Sequence, residues 1–413
     1  MKIAIYNHGI PFDGRSPFQR PLGGSESGVV YMARELVRAG NIVTVYCNCP
    51  EPAIYDGVVY EHYHRFFDDY RFAPWDVFIA FRSFDPLLIG RIAPRVIFWT
   101  GDDCFQPSIK DFGHPIIQGN IDLVFCVSEW HRRQFIENFN LSPDKVVGTR
   151  NGFNPELVPP LIETKSTEAF YTSTPFRGLK ILLKDIFPAI RRRVPGMKLD
   201  VYSSMKVYGW KGDVDKAEHG EIYKLTNQPG VAWPGSLAQP ELLSRLSGKG
   251  FLLYPNIFDE TSCIAAIEAQ ASGAVVVTSA KAGLKETVEH GVTGVCLQGD
   301  PNSQSYQREF VETVCGFLAN PDRMAQFSRT ARARAFREYT WAAVAGEWIS
   351  IIEAMTPVSV TGRYTGPLCL LEKTHSYLNS GNITAARRVL TELDRTPFFR
   401  QETQALRQLV DSR

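Results

Sequence analysis

Short apolar strands alternate with amphipathic helices along most of this 413-residue chain, and this alternation is the feature that most restricts its fold. Segments such as KIAIYN, DVFIAF and RVIFWT are almost entirely apolar, which is typical of strands buried on both faces. Helical segments such as VVYMARELVRAG lie between them. Strands that alternate with helices predict parallel sheets covered by helices, that is, an α/β fold.

The alternation is interrupted once, which predicts two doubly wound, Rossmann-like domains. The first covers residues 1–160, and the looser segment PELVPPLIETKST, residues 155–167, spans its end. The pattern then restarts and continues over residues 166–340. Two such domains in tandem leave a cleft between them, which is the usual place for a ligand in this architecture.

The end of the chain differs in character from the two domains. A helix at residues 341–355 is followed by TPVSVTGRYTGP, which is rich in Thr, Gly and Pro and indicates a boundary. Residues 362–413 read as two amphipathic helices with a turn at Gly381–Asn382, similar to a single tetratricopeptide hairpin. One such unit cannot bury its own apolar face, so we expect it to pack on the two domains, on a second copy or on a protein partner.

Composition excludes several classes of function. Charged residues make up 22% of the chain, the net charge is +1 and no extended block of one sign occurs, so no nucleic-acid partner is expected. The eight cysteines form no CxxC pair and read as free thiols of a reducing compartment. The chain begins with a strand and contains no run of about eighteen apolar residues, which predicts a cytoplasmic protein without a spanning helix. Peripheral membrane contact stays open.

The segment PLGGSESG, residues 21–28, places two glycines between a strand and a helix. Gly23 and Gly24 would let the backbone approach a ligand closely, beside a helix N-terminus whose N–H groups favour an anion. A Gly-Gly pair also occurs in turns that bind nothing. The segment therefore predicts either a phosphate-binding loop or a plain turn.

Two carboxylates, Glu260 and Glu268, lie in the otherwise apolar segment YPNIFDETSCIAAIEAQASG. The pattern predicts a helix that begins within residues 259–262 and ends at Gly273. Eight residues of helix span about 12 Å, which is the separation between the sugar and the ribose of a nucleoside diphosphate sugar. The alternative is a capping acid followed by an exposed glutamate, but the apolar surroundings of Glu268 argue for its enclosure.

The sequence resembles the retaining glycosyltransferases of the GT-B fold, specifically family 4 (group 1). The family signature is a Glu, seven residues and a second Glu, which Glu260 and Glu268 match. Other parts of the family pattern occur in order over residues 1–355, and the tail lies outside the resemblance. These parts are the glycine loop at Gly23–Gly24, VSEWHRRQF, RNGFN, TPFRGLKILL, VAWPGSL, AGLKETVEHGVTGVCL and YTWAAVAGEW.

The resemblance implies roles for the residues around the signature. Glu268 would bind the ribose hydroxyls of the nucleotide, and Glu260 would lie beside the donor sugar as a catalytic residue. Backbone amides of the intervening segment would contact the sugar hydroxyls or the diphosphate; these are Thr261, Ser262 and Cys263.

The resemblance also implies how the diphosphate is held. Gly23 and Gly24 would let the N-terminal domain approach it when the cleft closes. Arg177, in PFRGL, falls where the family often has a Lys before a Gly, and it would neutralise the departing diphosphate without a metal or another cofactor. Read without the resemblance, Arg177 is an ordinary surface residue at a strand-to-helix turn.

Two departures from the family pattern leave questions open. The family commonly has an Arg five or six residues before its Lys, where Tyr171 and Thr172 stand here. The residues that could compensate are Lys180, Lys206 and Lys211.

The family also often has a His followed by Asp at the end of an N-terminal strand. This chain has Gly101 there, in FWTGDD, followed by Asp102. Asp102 is then the expected catalytic group that faces the sugar or acceptor, or else it only caps a turn. His131, in SEWHRRQF, is expected on a helix surface.

The reaction implied is retaining sugar transfer from a UDP- or GDP-linked donor to a hydroxyl of a carbohydrate, lipid-linked or other acceptor. Loops with Phe12, Phe18, Phe66, Phe67 and Tyr70 could stack on sugars or simply pack. Two alternatives stay open. The chain could be another GT-B enzyme such as a nucleotide-sugar epimerase, or a non-catalytic scaffold that acts through its C-terminal hairpin.

Overall fold

A computed structural model describes residues 1–71, 74–360 and 366–412 of the chain. Within these residues the N-terminal half forms an eight-stranded sheet of order β3-β4-β2-β1-β5-β6-β7-β8. Neighbouring strands are parallel, except for the antiparallel pair β3 and β4. The strands are β1 (Lys2–Tyr6), β2 (Ile42–Cys47), β3 (Ala53–Tyr55), β4 (Val58–His62), β5 (Val77–Phe81), β6 (Arg95–Trp99), β7 (Leu123–Cys126) and β8 (Val146–Gly148).

Helices cover both faces of this sheet, which is why its central strands are apolar throughout. Along β5, Val77, Ile79 and Phe81 contribute to one core, while Phe78 and Ala80 contribute to the core on the other face. The helices are α1 (Ser16–Gln19), α2 (Gly24–Arg38), α3 (Arg65–Asp69), α4 (Pro115–Gly119) and α5 (Glu129–Phe139).

The second half forms a parallel six-stranded sheet of order β11-β10-β9-β12-β13-β14 within the described residues. Its strands are β9 (Glu168–Thr172), β10 (Lys198–Tyr202), β11 (Val231–Ala232), β12 (Phe251–Tyr254), β13 (Val275–Ser279) and β14 (Gly294–Leu297). Its helices are α6 (Leu179–Ile181), which continues through a π-helical segment (Leu182–Ile186) into α7 (Phe187–Arg193), then α8 (Gly212–Lys224), α9 (Gln239–Leu246), α10 (Ile264–Ala271), α11 (Leu284–Thr287), α12 (Gln304–Leu318) and α13 (Pro321–Glu338). The predicted α/β fold with two doubly wound domains is confirmed.

The helix that follows the second sheet returns to the first domain. Helix α14 (Trp341–Ala354) places Trp341 and Trp348 in the core under the N-terminal sheet. The ring of Trp348 lies 4.8 Å from that of Trp99 and 4.8 Å from that of Phe125, both on strands of that sheet. The chain therefore ties its two halves together through buried aromatic side chains.

The C-terminal tail contains a third helix, so the prediction of a two-helix hairpin is wrong. Its helices are α15 (Pro367–Asn379), α16 (Ile383–Leu393) and α17 (Arg400–Asp411). Pro397 prevents α16 and α17 from forming one continuous helix, because proline lacks an N–H group and disfavours helix at the residue before it. Phe399, with a φ of 57°, then caps α17. Part of the expected boundary, residues 361–365, lies outside the described residues, as does the start of the expected hairpin.

The tail packs on the N-terminal domain. Cys369 is buried in the core beneath α3, and Arg71 forms a 2.6 Å ion pair with Glu372. A Cβ atom at Gly366 would lie 2.0 Å from the carbonyl oxygen of Leu88, so the chain enters α15 in direct contact with the domain.

Three further expectations concern the cysteines, membrane-spanning helices and the loop aromatics. All eight cysteines lie in the described residues as free thiols, and Cys315 alone among them is not fully buried. No helix in the described ranges is long and apolar enough to cross a bilayer. Of the loop aromatics, Phe12, Phe66 and Tyr70 are buried core residues rather than exposed platforms.

Candidate active site

A cavity of about 660 Å³ lies between the two domains. Its N-terminal wall is formed by the glycine loop and by residues that follow β5 and β6, and its C-terminal wall by residues that follow β9 and β12. Strand order reverses between β1 and β5 in the first sheet and between β9 and β12 in the second. Ligands of open α/β sheets bind at such reversals, outside the carboxyl ends of the strands. The reversal points of both sheets therefore face the same cavity.

Hydrogen bonds between the domains close the cleft around this cavity. The hydroxyl of Thr261 donates to the carbonyl oxygen of Gly101 at 2.7 Å. The backbone N–H groups of Glu129 and Trp130, at the start of α5, donate to the carboxylate of Glu286 at 2.7 and 2.6 Å. A carboxylate at a helix N-terminus is favourably placed, because the first N–H groups of a helix lack partners within it.

The glycine loop lies against the C-terminal domain. Gly23 is the N-cap of α2 and Gly24 its first residue. A Cβ atom at Gly24 would lie 2.8 Å from the side chain of Ile264, and one at Gly23 would lie 2.6 Å from the carboxylate of Glu26 and 3.6 Å from the ring of Tyr208. A side chain larger than hydrogen at Gly24 would therefore push the two walls apart. The role of this loop in ligand binding stays a prediction.

The helix of the signature begins later than predicted, because residues 259–262 are not helical. Cys263 is the N-cap and α10 starts at Ile264. Contacts outside the helix hold the preceding loop instead: the N–H of Glu260 donates to the carbonyl of Phe258 at 3.0 Å, and its carbonyl accepts from the N–H of Gly283 at 2.8 Å. The loop residues Thr261, Ser262 and Cys263 line the cavity.

Glu260 leaves this loop as a buried carboxylate with two donors. Its side chain accepts a 2.5 Å hydrogen bond from the hydroxyl of Tyr254, at the end of β12, and a 2.9 Å ion pair from Arg177. Both contacts use the same oxygen, Oε1. A carboxylate that is 6% exposed needs such partners, because its charge is costly to remove from water.

Arg177 approaches Glu260 from the neighbouring strand β9. Its guanidinium also donates to the hydroxyl of Tyr208 at 3.2 Å and lies 4.3 Å from the ring centre of Phe258. Gly178 follows with a φ of 113°, and a Cβ atom there would lie 2.1 Å from the carbonyl oxygen of Pro255. Glycine is thus required beside Arg177, because β9 and β12 converge closely at this point.

The positions that depart from the family pattern are also visible. Thr172 lines the cavity, but Lys180, Lys206 and Lys211 are exposed and are absent from the described lining. A Cβ atom at Gly101 would have nothing within 4 Å, so the cavity is open there.

Glu268 projects from α10, also lines the cavity and is 5% exposed. Burial raises the pKa of its carboxyl to about 7, and a hydrogen bond from Gln239 lowers it only in part. The Gln239 amide donates to Glu268 at 2.5 Å, and the carbonyl oxygen of the same amide accepts from the hydroxyl of Tyr31 on α2. No basic side chain in the described ranges is paired with Glu268.

Asp102 lies in the cavity wall with its carboxylate already bound. Oδ2 accepts from Nε of Arg82 at 2.6 Å and from the hydroxyl of Ser108 at 2.6 Å. The group is therefore a fixed ionic partner in this structure, and its direct contact with a sugar or acceptor stays a prediction.

His131 is fully buried, so the expectation of a helix-surface residue is wrong. Nδ1 accepts from the backbone N–H of Val127 at 3.2 Å, so Nε2 carries the proton and donates to the carbonyl of Asp102 at 2.8 Å. Burial lowers the pKa of the imidazole to about 4. A neutral His131 thus holds the loop that carries Gly101 and Asp102.

Sequence reasoning missed several residues that the fold brings to the cavity. Arg82 follows β5 directly, and Glu26 lies three residues after Gly23, so a predicted strand end and the glycine loop were the available signals. Tyr208 and Gln239 come from a turn after β10 and from the start of α9, and only the packing of the sheet brings them near Arg177 and Glu268.

Comparison with known proteins identifies the domain that carries the signature. Residues 178–334 match the family described as glycosyl transferases group 1. The chain is 28% identical over 124 residues to the alpha-maltose-1-phosphate synthase of Mycolicibacterium smegmatis, which is 30% of this chain and 32% of that protein. It is 32% identical over 176 residues to the lipopolysaccharide 1,2-N-acetylglucosaminetransferase of Salmonella typhimurium, which is 42% of this chain and 44% of that protein. The alignments therefore span about a third of the length of the first relative and less than half of the length of the second.

Solved structures resemble a larger part of the chain. Sucrose-phosphate synthase from Thermosynechococcus elongatus superposes with a TM-score of 0.66 at 15% identity, over 85% of this chain and 98% of that one. HepE from Anabaena, determined in complex with UDP-glucose, superposes with a TM-score of 0.63 at 16% identity, over 86% of this chain and 100% of that one. The chain has the two-domain GT-B fold of such glycosyltransferases, and its residues 178–334 match the glycosyl transferases group 1 family.

Proposed function

We propose that this protein is a retaining, family 4 glycosyltransferase that moves a sugar from a UDP- or GDP-linked donor to an acceptor hydroxyl in glycan or glycolipid synthesis. The observation that carries the proposal is the placement of Glu260 and Glu268 at separate points of one cavity between the two domains, with the N-terminus of α10 between them. This arrangement suits a ligand with hydroxyls at both ends and negative charge in the middle.

The comparisons support sugar transfer as the reaction class. The matched residues 178–334 include Glu260 and Glu268, and they begin at Gly178, the residue after Arg177. The two curated relatives are named for the synthesis of maltose 1-phosphate and for the transfer of N-acetylglucosamine, and HepE was determined with UDP-glucose. A nucleoside diphosphate sugar is accordingly the donor class that we propose here.

In the proposed reaction the two glutamates have separate roles. Glu268 and Gln239 hold the ribose, while Glu260 orients the donor sugar. The bond between the anomeric carbon and the diphosphate oxygen breaks, and the acceptor oxygen bonds to the same face of that carbon. The acceptor proton passes to a diphosphate oxygen, so atoms and charges balance. Arg177 stabilises the charge that develops on the diphosphate, and no metal is required.

The test is transfer from purified protein with UDP-, GDP- and ADP-linked sugars, first as hydrolysis and then with sugar and lipid-linked acceptors. We expect release of one nucleoside diphosphate, undiminished by EDTA, and a product whose anomeric configuration equals that of the donor by NMR. Loss of activity in EDTA would overturn the metal-free mechanism, and an inverted product would overturn retention.

Two matched variants separate the proposed roles. Glu260→Gln should lower kcat roughly 100-fold with little change in donor affinity, since an interaction that stabilises the transition state is typically worth that much. Glu268→Gln should weaken nucleotide binding about tenfold, because it removes a charged hydrogen-bond acceptor. Glu309→Gln, on the exposed face of α12, is the control. Tight nucleotide binding without any transfer or hydrolysis would favour the non-catalytic scaffold, and conversion of the free nucleotide sugar to its epimer would favour an epimerase.

A further inference from the structure

We propose that Arg82 binds the donor diphosphate from the N-terminal wall and supplies, with Arg177, the second positive charge for the leaving group. This inference rests on the proposed function and adds a residue to the same site. Arg82 stands where strand order reverses in the first sheet, directly after β5, and Arg177 ends the short turn that follows β9 at the reversal in the second sheet. The two side chains thus line the cavity from opposite walls.

The backbone of Arg82 is held in an unfavourable conformation. Its φ is 56°, in the left-handed region that a residue with a side chain rarely adopts. Such strain persists only where the surrounding structure enforces it, and it is concentrated at functional sites. Here it turns the side chain out of the sheet edge and into the cavity, where 31% of the side chain is exposed.

The guanidinium group of Arg82 is held in place by two carboxylates. Nε donates to Asp102 at 2.6 Å and Nη1 to Glu26 at 3.3 Å. Nη2 donates to no protein group within residues 1–71, 74–360 and 366–412. Two carboxylates thus hold Nε and Nη1 and leave the N–H groups of Nη2 positioned for an anion, and the permanently charged donors of Arg suit phosphate oxygens.

Contacts around the glycine loop connect Arg82 to the proposed diphosphate position. Glu26, which binds Arg82, has a carboxylate oxygen 2.6 Å from where a Cβ of Gly23 would be. The ring of Tyr208 lies 3.6 Å from the same point, and its hydroxyl accepts from Arg177. The two arginines therefore flank the glycine loop. Burial raises the pKa of the Tyr208 phenol, and Arg177 and Arg82 both lower it, in agreement with this arrangement.

The charges of the cavity favour this assignment over the lysines suggested by the sequence. Among the described residues that line the cavity, the basic side chains are Arg82 and Arg177. The departing diphosphate carries at least two negative charges, and fixed cations aimed at developing charge are the main means of stabilising it. Arg82 would then supply the positive charge that a basic residue at position 172 supplies in the family pattern, where this chain has Thr172.

The test compares nucleoside diphosphates with monophosphates in the full-length protein, by calorimetry with UDP and UMP, GDP and GMP, and ADP and AMP. We expect Arg82→Met to reduce the preference for the diphosphate about tenfold, while monophosphate affinity changes little. Arg91→Met is the matched control, because Arg91 forms a similar part-buried pair with Asp122 but lies outside the cavity lining. Arg82→Gln replaces the methionine variant if that one does not fold.

The outcomes separate the two proposals. An unchanged diphosphate preference in folded Arg82 variants, together with its loss in Arg177→Met, would overturn the role of Arg82 and leave the proposed function standing. Absence of binding by every nucleotide to the unmodified protein would overturn the proposed function itself. Glu26→Gln provides a second reading: removal of its competing charge should strengthen diphosphate binding, and a weakening beyond that of the monophosphate would count against the proposal.

Discussion

The side-chain amide of Gln239 donates a 2.5 Å hydrogen bond to the buried carboxylate of Glu268. This neutral donor compensates little of the cost of burial, so the carboxyl has a pKa of about 7 against an ordinary value of 4.5. A raised pKa in the folded state means that Glu268 costs no stability below pH 4.5 and destabilises the fold as the pH rises through 7.

Glu268→Gln should therefore stabilise the nucleotide-free protein at pH 8 while weakening nucleotide binding. The difference between a pKa of about 7 in the folded protein and 4.5 in the unfolded chain corresponds to roughly 3 kcal/mol in the free energy of unfolding at pH 8, and to almost none at pH 4. Urea denaturation of both proteins at several pH values measures it. Parallel stability curves for the two proteins would contradict the raised pKa of the buried Glu268 carboxyl.

Tyr31 extends this contact into the N-terminal domain, because its hydroxyl donates to the carbonyl oxygen of the Gln239 amide. Tyr31→Phe leaves that oxygen without its donor and frees the amide to rotate away from Glu268. Loss of one buried hydrogen bond costs about 1 kcal/mol, so nucleotide affinity should fall several-fold. Tyr46→Phe is the control, because the Tyr46 hydroxyl binds Asp69 and lies outside the cavity lining. Equal affinities in the two variants would show that the bond does not position Gln239.

The strands and the tandem arrangement could be predicted because they depend on local pattern. Runs such as residues 77–81 are apolar on both faces, and only a sheet covered on both sides buries them. The enclosure of Glu268 was predictable for the same reason. The start of α10 was not predictable, because hydrogen bonds to residues far away along the chain hold residues 259–262 out of the helix. The N–H of Gly283 donates to the carbonyl of Glu260, and the hydroxyl of Thr261 donates to the carbonyl of Gly101.

Residues fixed by long-range contacts were beyond the reach of the sequence. His131 occupies a position in EWHRRQF that looks like a polar helix face, yet the loop after β6 covers it and accepts its hydrogen bond. Arg82 follows a strand like many surface residues, and its partners Asp102 and Glu26 lie 20 and 56 residues away along the chain. Spacing along one segment carries no information about such partners.

His131 should make the stability depend on pH in the sense opposite to Glu268. Its pKa is lowered to about 4 from 6.5 because the ring is buried, so the folded protein resists protonation that the unfolded chain accepts. The stabilising effect is present above pH 6.5 and is lost as the pH falls through 4, by up to roughly 3 kcal/mol. In the unmodified protein the two groups largely cancel between pH 4.5 and 6.5. His131→Gln should then show stability that falls as the pH rises across this window, and an unchanged profile would contradict the neutral buried ring.

Trp341 should be sensitive to any added atom at Gly152, because the two residues join the end of the second domain to the first. A Cβ atom at Gly152 would lie 2.7 Å from the indole, whose far edge is already 3.3 Å from the Cβ position of Gly28 on α2. The indole is 2% exposed and cannot move away into solvent. Gly152→Ala should therefore lower the free energy of unfolding by about 1–3 kcal/mol through overpacking. Gly119→Ala, where an added Cβ meets nothing within 4 Å, is the control and should leave stability nearly unchanged. Thermal denaturation of the two variants measures the difference, and equal melting temperatures would show that α14 is free to shift.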